Sequence, residues 1–267
     1  MGPLETKFFT WAQSRRIETV RTGDLVRGLA LSKQQEADLF KNMSRNGLIV
    51  KLIRGLYLVP TRLPPGGRFA PSPYLILDVL MRNLQANYQV TGLLAFNAHQ
   101  LDMQVPVETC IYNTSLSGRR KLGGLSFLFI KVARSRLGGD EIFESPTSDE
   151  RTIRTPMSSL PRVVIDAIYD YSRFNTLPRA YDWINDRKKD PTFIKSLIDM
   201  SIKYGNVSTR RRLGCLLELM KVEPTLIRPL ERSVEKSRAF IPLIPVRRPS
   251  GNVNKKWGIL VNAREQW

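Results

Sequence analysis

A stretch rich in proline and glycine, residues 60–73, most constrains how this chain of 267 residues can fold. It reads PTRLPPGGRFAPSP and holds five prolines and two glycines. Because proline fixes φ and lacks an N–H donor, neither a helix nor a central strand can run through this stretch. We therefore predict one domain at residues 1–64, a linker at 65–73 and a larger domain at 74–267.

Two helix signals precede this boundary. A short helix is predicted over residues 24–29 and a second one from residue 33 to about 46. Ser32 and Gln35 form the sequence signature of a capping box, in which each side chain pairs with the backbone of the other residue. Gly47 is the expected C-terminal stop. The two helices are thus joined by a short turn.

A hairpin is predicted directly after the second helix. Two β-rich runs, 48–53 and 56–59, are joined by a tight turn at Arg54 and Gly55. This order is typical of a winged helix-turn-helix, which can place one helix in the major groove of DNA. The predicted fold class is α+β, with this N-terminal unit followed by a larger mixed α/β domain that has a helical C-terminal half.

The second helix of this unit is amphipathic. Ala37, Phe40 and Met43, with Leu39 alongside, are predicted to face the core. The opposite face carries amide and basic side chains, which hydrogen-bond base edges and phosphates. The predicted DNA-binding residues, two of them near the hairpin tip, are Lys33, Gln34, Gln35, Lys41, Asn42, Arg45, Lys51 and Arg54. A winged helix that docks only protein is an alternative.

The charge of the chain supports a polyanionic partner. It has 42 Lys and Arg against 24 Asp and Glu, a net charge of +18. A possible second basic surface comprises Arg119, Arg120, Lys121, Arg210 and Arg211. Arg210 and Arg211 are expected to be exposed near a helix start, where cations oppose the helix dipole. That placement suggests an anionic partner; the alternative is plain solvated surface, with Arg212 paired to a carboxylate.

The region after the boundary mixes strands and helices. Helices are predicted over residues 74–84, 92–101, 161–171, 178–186, 191–204, 208–220 and 224–236. Strands are predicted over 88–90, 107–113 and 125–132, with shorter candidates at 142–143, 152–155, 240–246 and 257–261. Residues 118–124 are predicted to form a turn.

No residue set predicts an enzyme, a metal site or a cofactor site. His99, the only histidine, lies in an apolar predicted helix, and Cys110 and Cys215 are too far apart in sequence to suggest a zinc site. Both cysteines are expected to be free thiols in a reducing interior. The enzyme alternative is a metal-dependent nuclease whose site would consist of carboxylates. The segment that holds them is more typical of a solvated loop. These carboxylates are Asp140, Glu141, Glu144, Asp149 and Glu150.

The sequence also bears on location. No apolar run approaches the roughly 18 residues that span a bilayer. The N-terminus lacks the apolar core and cleavage site of a signal peptide. We therefore expect a cytoplasmic protein with no membrane partner.

Several segments of this chain resemble the AbiEi antitoxin family. The residues are YQVTGLLAFNAHQL at 88–101, CIYNT at 110–114, RRKLGGLSFLFI at 119–130, RVVID at 162–166, STRRRLGCLL at 208–217 and GNVNKKWGILV at 251–261. The resemblance covers nearly the whole chain, and order and spacing carry it.

This resemblance implies a type IV toxin–antitoxin or abortive infection system. The chain would bind inverted repeats in promoter DNA and repress its own operon. It would also neutralise a cognate nucleotidyltransferase-like toxin, with or without a stable complex. The family supplies no catalytic residues to transfer.

Overall fold

The structure is a computed structural model that describes residues 2–63, 67–146, 152–235 and 239–263. Within these ranges the chain is a mixed α/β protein with eleven α-helices and three β-sheets, which agrees with an α+β class. All the described helices are too short or too polar to span a bilayer. Residues 65 and 66 of the predicted linker lie outside the described residues.

The N-terminal region consists of three helices and a small antiparallel sheet. Its elements are α1 (Pro3–Ser14), β1 (Thr19–Arg21), α2 (Asp24–Gly28), α3 (Lys33–Arg45), β2 (Val50–Ile53) and β3 (Leu56–Leu58). The strand order is β1-β3-β2. The two predicted helices and the hairpin are present, whereas α1 and β1 were not predicted. The capping box at Ser32 is confirmed, since Gln35 N donates to Ser32 Oγ at 3.2 Å and Ser32 N donates to Gln35 Oε1 at 2.9 Å.

One prediction about the buried face of α3 is wrong. Ala37 is exposed, and Glu36 beside it is buried, with 1% of its surface accessible. The Glu36 carboxylate accepts hydrogen bonds from Gly23 N at 2.7 Å and Leu25 N at 2.8 Å. These amides begin α2, which has no side-chain cap of its own. Glu36, a charged residue of α3, therefore caps α2. The spacing of apolar residues cannot predict this role.

The centre of the molecule is a six-stranded mixed sheet. Around it lie α4 (Pro73–Asn83) and α5 (Leu93–Ala98). The strands are β4 (Tyr88–Thr91), β5 (Thr109–Asn113), β6 (Gly118–Leu122), β7 (Leu125–Lys131), β8 (Asp140–Pro146) and β9 (Thr152–Ser158). Their order is β6-β7-β5-β4-β9-β8, with the β4–β9 and β5–β7 pairs parallel. Residues 118–122 form the edge strand β6 rather than the predicted turn, because they pair with β7.

The C-terminal half is helical and ends in a small sheet. Its helices are α6 (Leu160–Tyr169), α7 (Tyr171–Phe174), α8 (Arg179–Asn185), α9 (Pro191–Tyr204), α10 (Val207–Leu219) and α11 (Pro224–Arg232). The strands are β10 (Ile241–Pro242), β11 (Asn252–Asn254) and β12 (Ile259–Val261). The predicted helix 161–171 is divided between α6 and α7. The predicted helix 224–236 ends at Arg232, and Lys236 lies outside the described residues.

The two regions share a hydrophobic core across the proline-rich boundary. Val50, Leu52, Leu56 and Leu58 of the hairpin are buried in the same cluster as α4 and the six-stranded sheet. The opposite face of the hairpin sheet closes a separate cluster with α1, α2 and α3. Side chains alternate across a strand, so a sheet with two apolar faces must be covered on both. The larger region covers the face that does not pack on α1, α2 and α3.

A buried carboxylate joins the sheet to α6. Asp166 Oδ1 accepts from Arg136 Nη2 at 2.8 Å and from Arg162 Nε at 2.9 Å. Its Oδ2 accepts from Thr91 Oγ1 at 3.0 Å and from Ser158 Oγ at 2.9 Å. With four donors on two oxygens, this carboxylate has little capacity left for a ligand. We interpret the cluster as a structural network.

Candidate nucleic-acid interface

The outward face of α3 carries six of the predicted DNA-binding residues, and all six are exposed. The helix buries Leu39, Phe40 and Met43 against α1 and the small sheet. Apart from Glu36, which packs against the start of α2, and the partly buried Ser44, the rest of its circumference faces solvent. The exposed residues are Lys33, Gln34, Gln35, Lys41, Asn42 and Arg45.

Hydrogen bonds within the helix distinguish these side chains from one another. Gln35 uses its Oε1 in the capping box, so its side chain is held at the helix start. Gln34 Nε2 donates to Asp38 Oδ2 at 3.0 Å, and Arg45 Nη2 donates to Asn42 Oδ1 at 3.4 Å. These exposed contacts can exchange for contacts to a ligand at small cost. Gln34 and Asn42 thus remain the amides best placed to read bases.

The hairpin places Lys51 beside α3. Lys51 on β2 is opposite Tyr57 on β3, so their side chains share one face of the sheet. The Tyr57 ring stacks on Phe40 of α3 at 4.4 Å between centroids. Burial, with a smaller contribution from the charge of Glu36, raises the pKa of Tyr57. The exposed Lys51 therefore lies on the sheet face that packs against α3, and Arg54 is exposed at the turn.

The structure adds a basic residue that the sequence did not single out. Phe69 N donates to Gly47 O at 2.7 Å, so the proline-rich stretch passes the C-terminal end of α3. A Cβ on Gly47 would lie 3.6 Å from Arg68 Cγ, and Arg68 is exposed. No periodicity or motif marks Arg68, because its position depends on a contact between residues that form no regular element.

The predicted second basic surface divides into two parts with different environments. Arg119, Arg120 and Lys121 are exposed on the edge strand β6, and Arg119 Nε donates to Glu108 Oε1 at 3.0 Å. Arg211 is only 5% exposed, so the prediction that it lies on the surface is wrong. Arg210 is half-buried and donates to Ser233 O at 2.7 Å.

The reason for this burial is the small C-terminal sheet. Arg211 donates to the carbonyl oxygens of Trp257, at 2.7 Å, of Ala239, at 2.6 Å, and of Gly258. Burial and the neighbouring Arg212 lower the pKa of Arg211. Arg212 is also buried and donates to Pro242 O at 3.1 Å, so its expected carboxylate partner is replaced by a carbonyl.

Three of the five carboxylates weighed as a nuclease site lie on a strand rather than in a loop. Asp140, Glu141 and Glu144 are exposed on the edge strand β8, and Asp149 and Glu150 lie outside the described residues. Glu144 pairs with Arg154 at 3.5 Å. Over the ranges that the structure describes, no three His, Cys, Asp or Glu side chains are grouped to hold a metal ion.

The histidine and the two thiols are engaged in packing. His99 Nε2 lies 2.8 Å from Ser158 O, and the imidazole is mostly buried. Cys110 and Cys215 are buried free thiols. Burial raises the pKa of each to about 12, so neither carries thiolate near neutral pH. These groups offer no activated nucleophile.

Comparison with known proteins identifies a similar fold. The sequence matches no protein-family model and no curated protein. The fold is similar to the crystal structure of the RV2827C protein from Mycobacterium tuberculosis, with a TM-score of 0.58 and 15% sequence identity. The match covers 97% of this chain and 91% of that one. At this identity the likeness shows a shared architecture and carries no function with it.

Proposed function

We propose that this chain binds double-stranded DNA through a winged helix-turn-helix formed by residues 2–63. The observation that carries the proposal is the exposed amide and basic face of α3, with Lys51 beside it on the hairpin. The element order from α1 to β3 and the strand order β1-β3-β2 support it. In such an arrangement α3 is the recognition helix and the hairpin is the wing.

The biological setting in this proposal comes from the resemblance to the AbiEi antitoxin family. The chain represses its own operon by binding inverted repeats in the promoter. It also neutralises a nucleotidyltransferase-like toxin, with or without a stable complex. It acts by binding in the cytoplasm and not as an enzyme. The network around Asp166 is consistent with a structural rather than a catalytic role for the larger region.

Binding measurements on the DNA upstream of the chain's own reading frame test the proposal. Replacing Gln34 and Asn42 together by alanine removes the two amides best placed to read bases. We expect the preference for this DNA over a scrambled duplex to weaken by roughly 1–3 kcal/mol for each base that is no longer read. Affinity for the scrambled duplex should change little, because phosphate contacts supply it. Fluorescence anisotropy at fixed salt measures both affinities.

Gln13→Ala provides the matched control, since Gln13 is an exposed amide on α1 and not on α3. It should leave both affinities unchanged. Equal preference in the double variant and the unaltered chain would exclude α3 as the reading helix. Failure of the full chain to bind any duplex would favour the protein-docking alternative.

A further inference from the structure

The six-stranded sheet ends in two exposed edge strands, β6 on one side and β8 on the other. Four of the five residues of β6 and five of the seven residues of β8 are exposed. Within the described ranges, the backbone of each strand hydrogen-bonds only to its one neighbour in the sheet. A free edge of this kind is a template for another strand.

The two edges carry charges of opposite sign. One contributes three cations and no carboxylate, and the other contributes three carboxylates and no cation. These residues are Arg119, Arg120 and Lys121 on β6 and Asp140, Glu141 and Glu144 on β8. Like charges oppose the pairing of either edge with itself, whereas pairing of β6 with β8 places opposite charges side by side. The charges therefore select one pairing out of three.

The directions of the strands suit this pairing. Three of the five neighbouring pairs in the sheet are antiparallel, so β6 and β8 run in opposite directions. A second copy displaced along the sheet in the same orientation therefore brings its β6 antiparallel to β8 of the first copy. Antiparallel strands pair with evenly opposed residues and need no crossover between them.

The side-chain faces match as well. One row of paired residues crosses the sheet through Gly118, Phe129, Ile111, Val90, Met157 and Glu141. Because side chains alternate along a strand, Arg120 lies on the same face as Glu141. A register that sets Arg120 opposite Glu141 thus keeps both faces of the sheet continuous. The same register sets Lys121 opposite Asp140.

We propose that copies of this chain associate head to tail, with β6 of one copy paired to β8 of the next. The central sheet then continues from copy to copy. Ile142, an exposed apolar residue of β8, lies opposite Arg119 in this register and is covered by its methylene groups. The contact is heterologous and the sheet is twisted, so the assembly stays open and grows with concentration. It needs no DNA and goes beyond the proposed function.

Sedimentation velocity of the full chain, without nucleic acid, tests this association. We expect an average mass that exceeds the 30.5 kDa of one chain and rises with concentration. The variant Arg120→Glu with Lys121→Glu should remain at the mass of one chain, because both of its edges are then acidic. The variant Asp140→Lys with Glu141→Lys should do the same, because both of its edges are basic. An equimolar mixture of the two variants should regain the higher mass, since each supplies the edge that the other needs.

Net charge is controlled separately. The β6 variant lowers the net charge from +18 to +14, so a general effect of repulsion would strengthen association and not abolish it. Arg228→Glu with Arg232→Glu, at exposed positions of α11, gives the same net charge and should keep the association. Thermal unfolding checks that each variant is folded.

Three outcomes overturn the proposal. The first is an unaltered chain that keeps the mass of one copy up to about 100 μM. The second is a β6 or β8 variant that associates as strongly as the unaltered chain, and the third is a mixture that fails to regain the higher mass. Because no DNA is present, each result is independent of whether α3 reads bases.

Discussion

At the scale of single residues, two basic runs of similar sequence have opposite environments. Residues 119–121 lie on an edge strand and are exposed, whereas Arg211 and Arg212 of α10 are buried. A guanidinium has five N–H donors, so it can stabilise a buried site by satisfying several carbonyl oxygens at once. A charge reversal at Arg211 would therefore disturb folding before it could report on a partner.

We predict that Arg211→Met destabilises the chain by about 3 kcal/mol, because buried carbonyl oxygens lose their donor. The carbonyls belong to Trp257, Ala239 and Gly258 of the C-terminal segment. Urea unfolding measures the change. Arg228→Met, at an exposed position of α11, should cost less than about 0.5 kcal/mol. Equal stability of the two variants would show that the buried hydrogen bonds do not stabilise the fold.

At the scale of elements, α3 has two roles that face opposite ways. Its outer face is the proposed DNA-reading surface, and its inner face supplies Glu36 to the start of α2. A carboxylate at a helix N-terminus satisfies free N–H groups and interacts favourably with the helix dipole. This side chain therefore helps to hold α2 against α3, together with the apolar cluster that both helices share.

We predict that Glu36→Ala destabilises the chain by about 2–4 kcal/mol, since charge-assisted bonds to two amides are removed from a buried site. DNA affinity should fall as well, because α3 loses its fixed position. Asp38→Ala on the exposed face is the control and should change stability by less than about 0.5 kcal/mol. Unfolding in urea gives the stabilities. An unchanged midpoint for Glu36→Ala would contradict the capping role.

At the scale of the whole molecule, the hairpin belongs to both regions. Its four buried apolar residues face the larger region, and the other face of its sheet closes the N-terminal cluster. Arg82 of α4 adds a surface ion pair to Glu18 at 3.1 Å. Burial of apolar area is the dominant favourable contribution to folding, so the two regions should unfold together.

We predict that Leu58→Ala lowers the stability of both regions by the same amount, about 2–5 kcal/mol. Leu58 is fully buried in the shared core. Hydrogen exchange across a urea series, with peptides from α3 and from α6, measures the two regions separately. Val253→Ala, at an exposed position, should leave the hydrogen-exchange protection of both regions unchanged. Loss of protection in α3 alone would show that the regions fold independently.

Local chemistry made much of this structure predictable. The capping box at Ser32, the helix start at Pro191 and the strand predicted at 125–132 depend on residues close in sequence. All three are present, and the strand covers Leu125–Lys131. The exposed face of α3 was predictable for the same reason, since helical periodicity assigns its two sides. The DNA site as a binding surface stays a prediction.

Tertiary structure decided what depends on distant partners. Residues 118–122 form a strand because β7 pairs with them, and Arg211 is buried because carbonyls far along the chain receive its donors. The described residues of the proline-rich segment, 60–63 and 67–72, form no helix or strand, as their chemistry predicts. Whether it separates two domains depends on which apolar faces meet across it, and that is a property of packing rather than of the segment.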